Sequence, residues 1–258
     1  MTRLHVHEWG DPGAPAVVCL HGVGGHGGRF RKLAEERLAR RFHVVAPDLR
    51  GHGRSTWDEP WDLATHVADL VETCGEPAAW IGHSFGGRLI MQVASDRPEL
   101  VPRAVLLDPA IFVPPLLARD FAQEARREES YRSVEEAVET RILRSGLAHT
   151  PRDLLVEEVE AHAFVGDDGR LRYRYSGASV GEAYMQMATP PPPFDALRVP
   201  TLVVVGSLSK TTSAGEAELY RRALGDLLTL EVVPGGHSVL WDAFDETAAA
   251  IDAFLERV

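Results

Sequence analysis

The chain has 258 residues, a length typical of one large domain or of one domain with an insertion. Hydrophobic residues make up 45% of it and charged residues 25%, which excludes a disordered or fibrous chain. The chain has 27 Lys and Arg and 38 Asp and Glu, which gives a formal net charge of −11. This negative charge argues against binding to nucleic acid or to an anionic membrane surface. We therefore expect a small-molecule substrate as the partner; the sequence does not predict an oligomeric state.

The two cysteines, Cys19 and Cys74, form neither a spaced disulfide framework nor a metal motif, which is typical of a reducing compartment. The N-terminus has no long apolar stretch or cleavage signal, and no apolar run in the chain is long enough to cross a bilayer. These features favour a soluble, cytoplasmic protein.

Short apolar runs alternate with longer stretches of helical periodicity along most of the chain. Because most runs lack polar alternation, they predict buried strands of a parallel sheet that is covered by helices on both faces. The predicted strands are Ala16–Leu20, Phe42–Ala46, Ala78–Ile81, Ala104–Leu107, Thr201–Val205 and Leu228–Val233. The predicted helices are Phe30–Arg40, Leu63–Cys74, Arg88–Asp96, Ala214–Leu224 and Thr247–Arg257. This alternation predicts an α/β fold with a mostly parallel central sheet.

The alternation breaks once, between Ile111 and Ala196, where charged amphipathic stretches such as Phe121–Arg127 and Val134–Leu143 replace the strands. The stretch ends in four consecutive prolines, 190–193, which predict an extended linker. We therefore predict an α/β core formed by residues 1–110 and 197–258, with residues 111–196 inserted as a helical cap. Insertions at strand ends commonly form lids over active sites.

The sharpest motif is Gly82-His83-Ser84-Phe85-Gly86, the G-x-S-x-G pattern of a nucleophile at a strand-to-helix turn. It follows a predicted strand and opens a predicted helix, which is the context that the motif requires. The tight turn forces the serine into a strained conformation and projects its hydroxyl outward at a helix N-terminus. Ser84 is the predicted nucleophile.

A serine hydroxyl needs a general base, and His237 is the best placed of the eleven histidines. It follows the last predicted strand directly, in Pro234-Gly235-Gly236-His237, at the sheet edge where Ser84 is expected. His83 is expected to pack beside its strand, and His21 to shape the loop after an early strand.

Two backbone N–H groups are needed to stabilise an oxyanion. Phe85 supplies one by following the nucleophile, and Val23 is the candidate for the other, in the glycine-rich loop 21–28. This loop lacks the Lys-Ser/Thr of a phosphate-binding loop and does not match a dinucleotide fingerprint, so nucleotide binding is not expected.

Together with His21-Gly22, Asp48-Leu49-Arg50-Gly51-His52-Gly53-Arg54-Ser55 and Gly236-His237, the serine motif resembles the α/β-hydrolase fold superfamily over nearly the whole chain. The resemblance implies a Ser–His–acid triad that acts through an acyl-enzyme. Ser84 argues against the branches that attack epoxides or haloalkanes, because those place an Asp there.

The acid of the triad is the open point. The family generally supplies it from the loop after the strand that matches Thr201–Val205, but here that loop carries Leu208 and Lys210, and no carboxylate occurs before Glu216. Some branches take the acid from the end of the preceding strand, which makes Asp108 the candidate. Glu216, or no acid at all, are the alternatives. The resemblance gives Asp48 a structural role, and we expect it to pair with an arginine.

The predicted reaction is cleavage of an ester or lactone of a small, largely apolar molecule, as expected of an esterase-like or lactonase-like serine hydrolase. The alternatives are a cofactor-free lyase, cyclase or C–C bond hydrolase on the same scaffold, and a non-catalytic ligand receptor. His21, Phe112, Tyr184 and Trp241 are candidates for the substrate pocket. Arg170, Arg172 and Arg174 alternate with apolar residues, which predicts an extended piece with a basic face. No cofactor and no metal are predicted.

Overall fold

A computed structural model describes residues 2–127, 129–144 and 147–256 and contains a seven-stranded sheet in the order β1-β3-β2-β4-β5-β8-β9. Its strands are β1 Val6–Trp9, β2 Ala16–Leu20, β3 His43–Pro47, β4 Ala79–His83, β5 Arg103–Leu107, β8 Thr201–Gly206 and β9 Leu228–Val233. Every neighbouring pair is parallel except β1 and β3. The predicted fold class, a mostly parallel sheet flanked by helices, is confirmed.

Helices connect these strands and cover both faces of the sheet. Their bounds are α1 Arg31–Leu33, α2 Leu63–Cys74, α3 Phe85–Asp96, α4 Pro115–Ala125, α5 Val134–Arg144, α6 Arg152–His162, α7 Gly177–Met187, α8 Ala214–Leu224, α9 Val239–Asp242 and α10 Phe244–Leu255. The predicted α2 and α8 match these bounds, whereas the predicted helix over Phe30–Arg40 consists of the single turn α1 and a π-helical turn, Ala34–Leu38. The predicted last helix begins earlier than expected, and its predicted end at Arg257 lies outside the described residues.

The side chains of each central strand alternate between two apolar layers, as the period of two in a strand requires. Trp80 of β4 belongs to the layer beneath α2, α3 and α8, whereas the next residue, Ile81, belongs to the layer beneath α1 and α10. Because helices cover both faces of the sheet, the strands appear in the sequence as continuous apolar runs.

The inserted segment, residues 111–196, lies between β5 and β8 and contains α4, α5, α6 and α7. It also contains a short antiparallel hairpin of β6 Ala163–Val165 and β7 Leu171–Tyr173, whose pairing the sequence did not predict. β7 falls within the alternating piece that the sequence predicted as extended. The described part of the segment has a small core of its own, built around Tyr131, Val138 and Tyr173.

None of the described helices is long and apolar enough to span a membrane.

Candidate active site

Ser84 lies at the sharp turn between β4 and α3 and has a strained backbone, with φ 55° and ψ −117°. Glycine is required at both ends of the motif. A Cβ on Gly82 would lie 2.6 Å from the backbone of Gly86, and a Cβ on Gly86 would lie 2.3 Å from the carbonyl oxygen of Leu20. The side chain of Ser84 stands at the N-terminus of α3, and its hydroxyl makes no hydrogen bond within the described part of the chain.

Asp108 stands beside Ser84 because of the strand register. His83 pairs with Leu107 at the carboxyl end of the parallel β4–β5 ladder, so the next residues of the two strands are neighbours. The Ser84 N–H donates to the Leu107 carbonyl at 3.1 Å, and the Asp108 N–H donates to the Val204 carbonyl at 2.7 Å. Asp108 also has a positive φ, 40°, which turns the chain away from the sheet immediately after β5.

His237 binds Asp108 directly. The His237 Nδ1–H donates to Asp108 Oδ2 at 2.5 Å, and the carboxyl group is completely buried whereas the imidazole side chain is 32% exposed. With Nδ1 engaged, Nε2 is the nitrogen left to exchange a proton with a substrate or a nucleophile. No hydrogen bond joins Ser84 to His237 among the described contacts, and such bonds often tighten only when substrate is bound.

Ser209 occupies the loop in which the family usually supplies the acid. Its hydroxyl donates to Asp108 Oδ2 at 2.5 Å, the same oxygen that binds His237. The other oxygen, Oδ1, is buried and has no hydrogen-bond partner among the described residues. A buried carboxylate with so few hydrogen-bond donors is stabilised when a positive charge forms next to it. Protonation of His237 produces such a charge beside Asp108.

The alternative acid, Glu216, is engaged elsewhere. It forms a capping box at the start of α8, where its Oε2 accepts hydrogen bonds from the Ser213 N–H at 2.8 Å and from the Ser213 hydroxyl at 3.0 Å. Lys210 and Leu208 are both exposed at the surface of their loop. Of the three possibilities for the acid, the described contacts favour Asp108.

Two buried histidines hold the glycine-rich loop in shape. His21 Nδ1–H donates to the Gly22 carbonyl at 2.7 Å, and His21 Nε2 accepts the Leu49 N–H at 2.9 Å. His52 Nε2 accepts the Gly24 N–H at 3.0 Å, and burial lowers the pKa of His52 to about 4. These bonds require neutral imidazoles. The N–H of Val23, between the two anchored glycines, donates to no acceptor in the described part of the chain, so it stays the candidate for the second oxyanion donor.

Asp48 is structural, but the expected pairing with an arginine side chain was wrong. Its carboxylate accepts the Gly27 N–H at 2.8 Å, the Arg54 backbone N–H at 2.9 Å and the His7 Nε2–H at 3.0 Å. Although burial acts in the opposite direction, the hydrogen bonds from His7 and Arg54 hold the pKa of Asp48 below its usual range. The partner of Arg50 is Asp69, bound through two hydrogen bonds of 2.6 and 3.0 Å.

His83 packs beside the site, as predicted from its place within the motif. Its ring centroid lies 4.7 Å from that of His237, and its Nε2–H donates to the His237 carbonyl at 2.9 Å. Burial and the neighbouring His237 lower the pKa of His83 well below its usual value. His83 therefore positions the loop of the candidate base.

Two of the four predicted pocket residues line one cavity. His21 and Trp241 line a cavity of about 30 Å³ next to His83, behind the glycine-rich loop. Phe112 is 42% exposed, and Tyr184 packs against Phe121 with ring centroids 5.0 Å apart. A shared substrate pocket formed by these residues stays a prediction.

The inserted segment is attached to the glycine-rich loop by a buried ion pair that the sequence did not predict. Glu158 of α6 accepts hydrogen bonds from His26 Nε2 at 2.8 Å and from Arg29 Nε at 2.8 Å. Although burial acts in the opposite direction, Arg29 and His26 hold the pKa of Glu158 well below its usual range. No sequence pattern marks such a pair, because its members are separated by more than a hundred residues.

One group of described side chains has the chemistry of a metal site: His5, His7 and Asp48 place their ligand atoms within 4.8 Å of one another. The hydrogen bonds to Asp48 already account for its carboxylate, so we assign the group a structural role. Ser209 is the functional candidate that sequence reasoning missed. Its place in the usual acid loop is the available signal, but a serine there does not by itself indicate a donor to a carboxylate at the end of another strand.

Residues 15–244 match a protein family described as having an alpha/beta hydrolase fold. The chain is 30% identical to the 2-(acetamidomethylene)succinate hydrolase of Mesorhizobium japonicum, over 98% of this chain and 91% of that protein. It is 33% identical to the lipase LipV of Mycobacterium tuberculosis, over 67% of each chain. The crystal structure of an E-2-(acetamidomethylene)succinate hydrolase matches with a TM-score of 0.86 and 26% identity, over 98% of this chain and 95% of that one.

Proposed function

Because this chain belongs to the α/β-hydrolase fold family, we propose that it is a serine hydrolase that cleaves an ester or lactone of a small, largely apolar molecule. The observation that carries the proposal is the hydrogen bond of 2.5 Å between His237 Nδ1 and the buried Asp108, beside the strained turn of Ser84. The relatives support hydrolysis but differ in the substrates that their names give, a succinate derivative for one and lipid for another. The family therefore does not decide the substrate.

In the proposed mechanism, the Ser84 hydroxyl attacks the carbonyl carbon while His237 Nε2 takes its proton. Asp108 holds the imidazole in the required tautomer and stabilises the imidazolium that forms. The N–H groups of Val23 and Phe85 stabilise the oxyanion. The alkoxide leaves with the proton from His237, and a water molecule then releases the acid from Ser84 by the same steps in reverse.

The assignment of Val23 rests on the position of its N–H in a fixed loop. His21, at the start of the loop, and His52, from another part of the chain, anchor the residues on either side of it, so the loop is held in shape without substrate. Preorganised donors of this kind contribute most to catalysis when no rearrangement is needed at the moment of reaction. Phe85 is buried at the first position of α3, where helical N–H groups have no partner within the helix.

The test is the pre-steady-state release of p-nitrophenol from its acetate and butyrate esters. We expect a burst of about one equivalent per active site, because the alcohol leaves before the acyl-enzyme is hydrolysed. Ser84→Ala abolishes the burst, whereas Ser207→Ala, a matched change at an exposed serine, leaves it intact.

Turnover that persists at the parental rate in Ser84→Ala contradicts an acyl-enzyme. It favours chemistry in which His237 acts as a base without a covalent intermediate, as in a lyase or C–C bond hydrolase. If the parent shows neither burst nor turnover with any ester or lactone, and no labelling of Ser84 by a fluorophosphonate, the proposed activity is wrong and a ligand receptor takes its place.

A further inference from the structure

A second cleft lies against the glycine-rich loop, between the core and the inserted segment, and it shares Arg29 and Trp241 with the cavity next to His83. It has a volume of about 280 Å³ and lies against α6, and we call it the α6 cleft. Gly28 of the loop and the adjacent Arg29 form one wall, and Leu154 and Ala161 of α6 form another. Neither Ser84 nor either of its proposed partners lines the cleft.

The carboxylates in the wall of the α6 cleft are already engaged. Asp48 is bound by backbone N–H groups and His7, and Glu158 is bound by Arg29 and His26. Glu157 is paired with Arg31. Two of the three carboxylates in the lining are thus paired with arginines, and the charge of Asp48 is left to oppose the remaining cations of the cleft.

Three cations in the wall, Lys32, Arg54 and Arg174, have no carboxylate partner within the described part of the chain. Lys32 lies 4.1 Å from the centre of the Phe244 ring, and Arg174 lies 5.3 Å from that of Phe164. Arg54 and Arg174 are neighbours, because the N–H of the preceding Gly53 donates to the Arg174 carbonyl at 2.6 Å. Positive charge is thus concentrated in one cleft of a chain whose formal net charge is −11.

The rest of the lining is suited to an organic molecule. Trp9 and Trp241 contribute aromatic surface, and the ring of His162 also lies in the wall. A volume of about 280 Å³ lies near the lower end of the sizes of small-molecule sites. Guanidinium groups bind the oxygens of phosphate and carboxylate through paired hydrogen bonds.

We propose that the α6 cleft binds a small organic anion, whose phosphate or carboxylate lies between Arg54 and Arg174 and whose apolar part packs against Trp9 and Trp241. This ligand is separate from the ester substrate of the proposed function. It contacts the same loop that carries Val23, so its binding stabilises the loop in the conformation that the oxyanion site needs.

The experiment is a titration of the Ser84→Ala protein followed by tryptophan fluorescence and calorimetry. The probes are phenyl phosphate, benzoate, inorganic phosphate and the uncharged phenol. We expect phenyl phosphate or benzoate to bind, and the tighter of the two identifies the preferred anion as phosphate or carboxylate. Phenol is expected to bind at least about tenfold more weakly because it lacks the anionic group.

The double variant Arg54→Gln/Arg174→Gln weakens the binding by about tenfold or more, because it removes both guanidinium groups. Arg198→Gln, an exposed arginine outside the cleft, leaves it unchanged. The single variant Arg54→Gln changes an exposed side chain and serves if the double variant fails to fold; its expected loss is about threefold or more.

Equal binding by parent and arginine variants overturns the proposal, as does binding of phenol as tight as that of the anions. If inorganic phosphate binds and neither aromatic anion does, the proposal that the ligand is an organic anion is wrong. Loss of aromatic-anion binding when Ser84 of the parent is blocked by a fluorophosphonate places the ligand in the catalytic site and also overturns the proposal. Because the titration uses Ser84→Ala, its result does not depend on whether the protein hydrolyses esters.

Discussion

Lowering the pH from about 7.5 to about 5 is expected to destabilise the protein, because several histidines are buried in the neutral form. Burial lowers the pKa of His52 to about 4, that of His66 to about 3 and that of His162 to about 2. In the unfolded chain each histidine binds a proton near pH 6.5, whereas in the folded chain it does not do so until its lower pKa is reached. The stability that each contributes is therefore complete above about pH 6.5 and is lost as the pH falls towards the folded value.

The size of the effect follows from the titration. A pH of about 5 lies about 1.5 units below the pKa of histidine in the unfolded chain. At 1.36 kcal/mol per unit, each buried neutral histidine therefore lowers the free energy of unfolding by about 2 kcal/mol. The three together lower the free energy of unfolding by about 6 kcal/mol, which is comparable with the total stability of a typical domain. Asp48 and Glu158 do not offset this loss, because carboxylates with lowered pKa values change protonation only at lower pH.

The measurement is urea unfolding at about pH 7.5, 6 and 5, followed by tryptophan fluorescence. His66→Leu is the informative variant, because the ring of His66 packs edge-on against Phe85 and its Nδ1 is buried without a described partner. Removing this titration reduces the loss of unfolding free energy between about pH 7.5 and 5 by about 2 kcal/mol. His149→Leu, a change at an exposed histidine, leaves the loss unchanged. An unfolding free energy that stays constant within about 1 kcal/mol over this range refutes the reasoning.

Three further substitutions test the site and its support. Asp108→Asn lowers kcat for a p-nitrophenyl ester by about 10³-fold or more, because His237 loses the carboxylate that fixes its tautomer and stabilises its positive charge. A change of less than about threefold contradicts the assignment. Ser209→Ala lowers kcat about tenfold and shifts the pH profile of kcat/KM, because a hydrogen bond to a charged group is lost, whereas the neighbouring Ser207→Ala leaves both unchanged. Glu158→Gln lowers the free energy of unfolding by about 3 kcal/mol, because Arg29 is left buried without its partner; a loss below about 1 kcal/mol in urea unfolding argues against a stabilising pair.

The sequence predicted best the strands that are buried on both faces of the sheet, because this burial gives each of them a continuous apolar run. The observed β2 and β9 match the predicted bounds, and β4 and β5 differ by two residues or fewer at each end. The edge strand β1 was missed because His7 and Glu8 interrupt its apolar pattern, and in the described sheet it pairs with the antiparallel β3. Its formation depends on pairing along the sheet edge, which is a tertiary effect that a short polar segment does not reveal.

The same distinction explains the inserted segment. Its helices carry amphipathic patterns that the sequence shows, but the three-residue strands β6 and β7 are too short to give a period. They are held by each other and by an isolated bridge between Tyr131 and Leu171 of β7. The ion pair of Glu158 with Arg29 is equally invisible in sequence, since either residue alone predicts only a solvated charge.

The candidate acid shows why a motif can be recognised while its chemistry stays open. The carboxyl ends of adjacent parallel strands lie about 5 Å apart, so a carboxylate after β5 and one after β8 reach almost the same point. The sequence shows that the position after β8 has no carboxylate, but it does not show how that loop is folded. In the structure the loop presents Ser209 to Asp108 and leaves Lys210 exposed, so a serine of the usual acid loop donates to the candidate acid after β5. The two positions therefore act as a pair, and a change at Ser209 is expected to matter only through the carboxylate that it contacts.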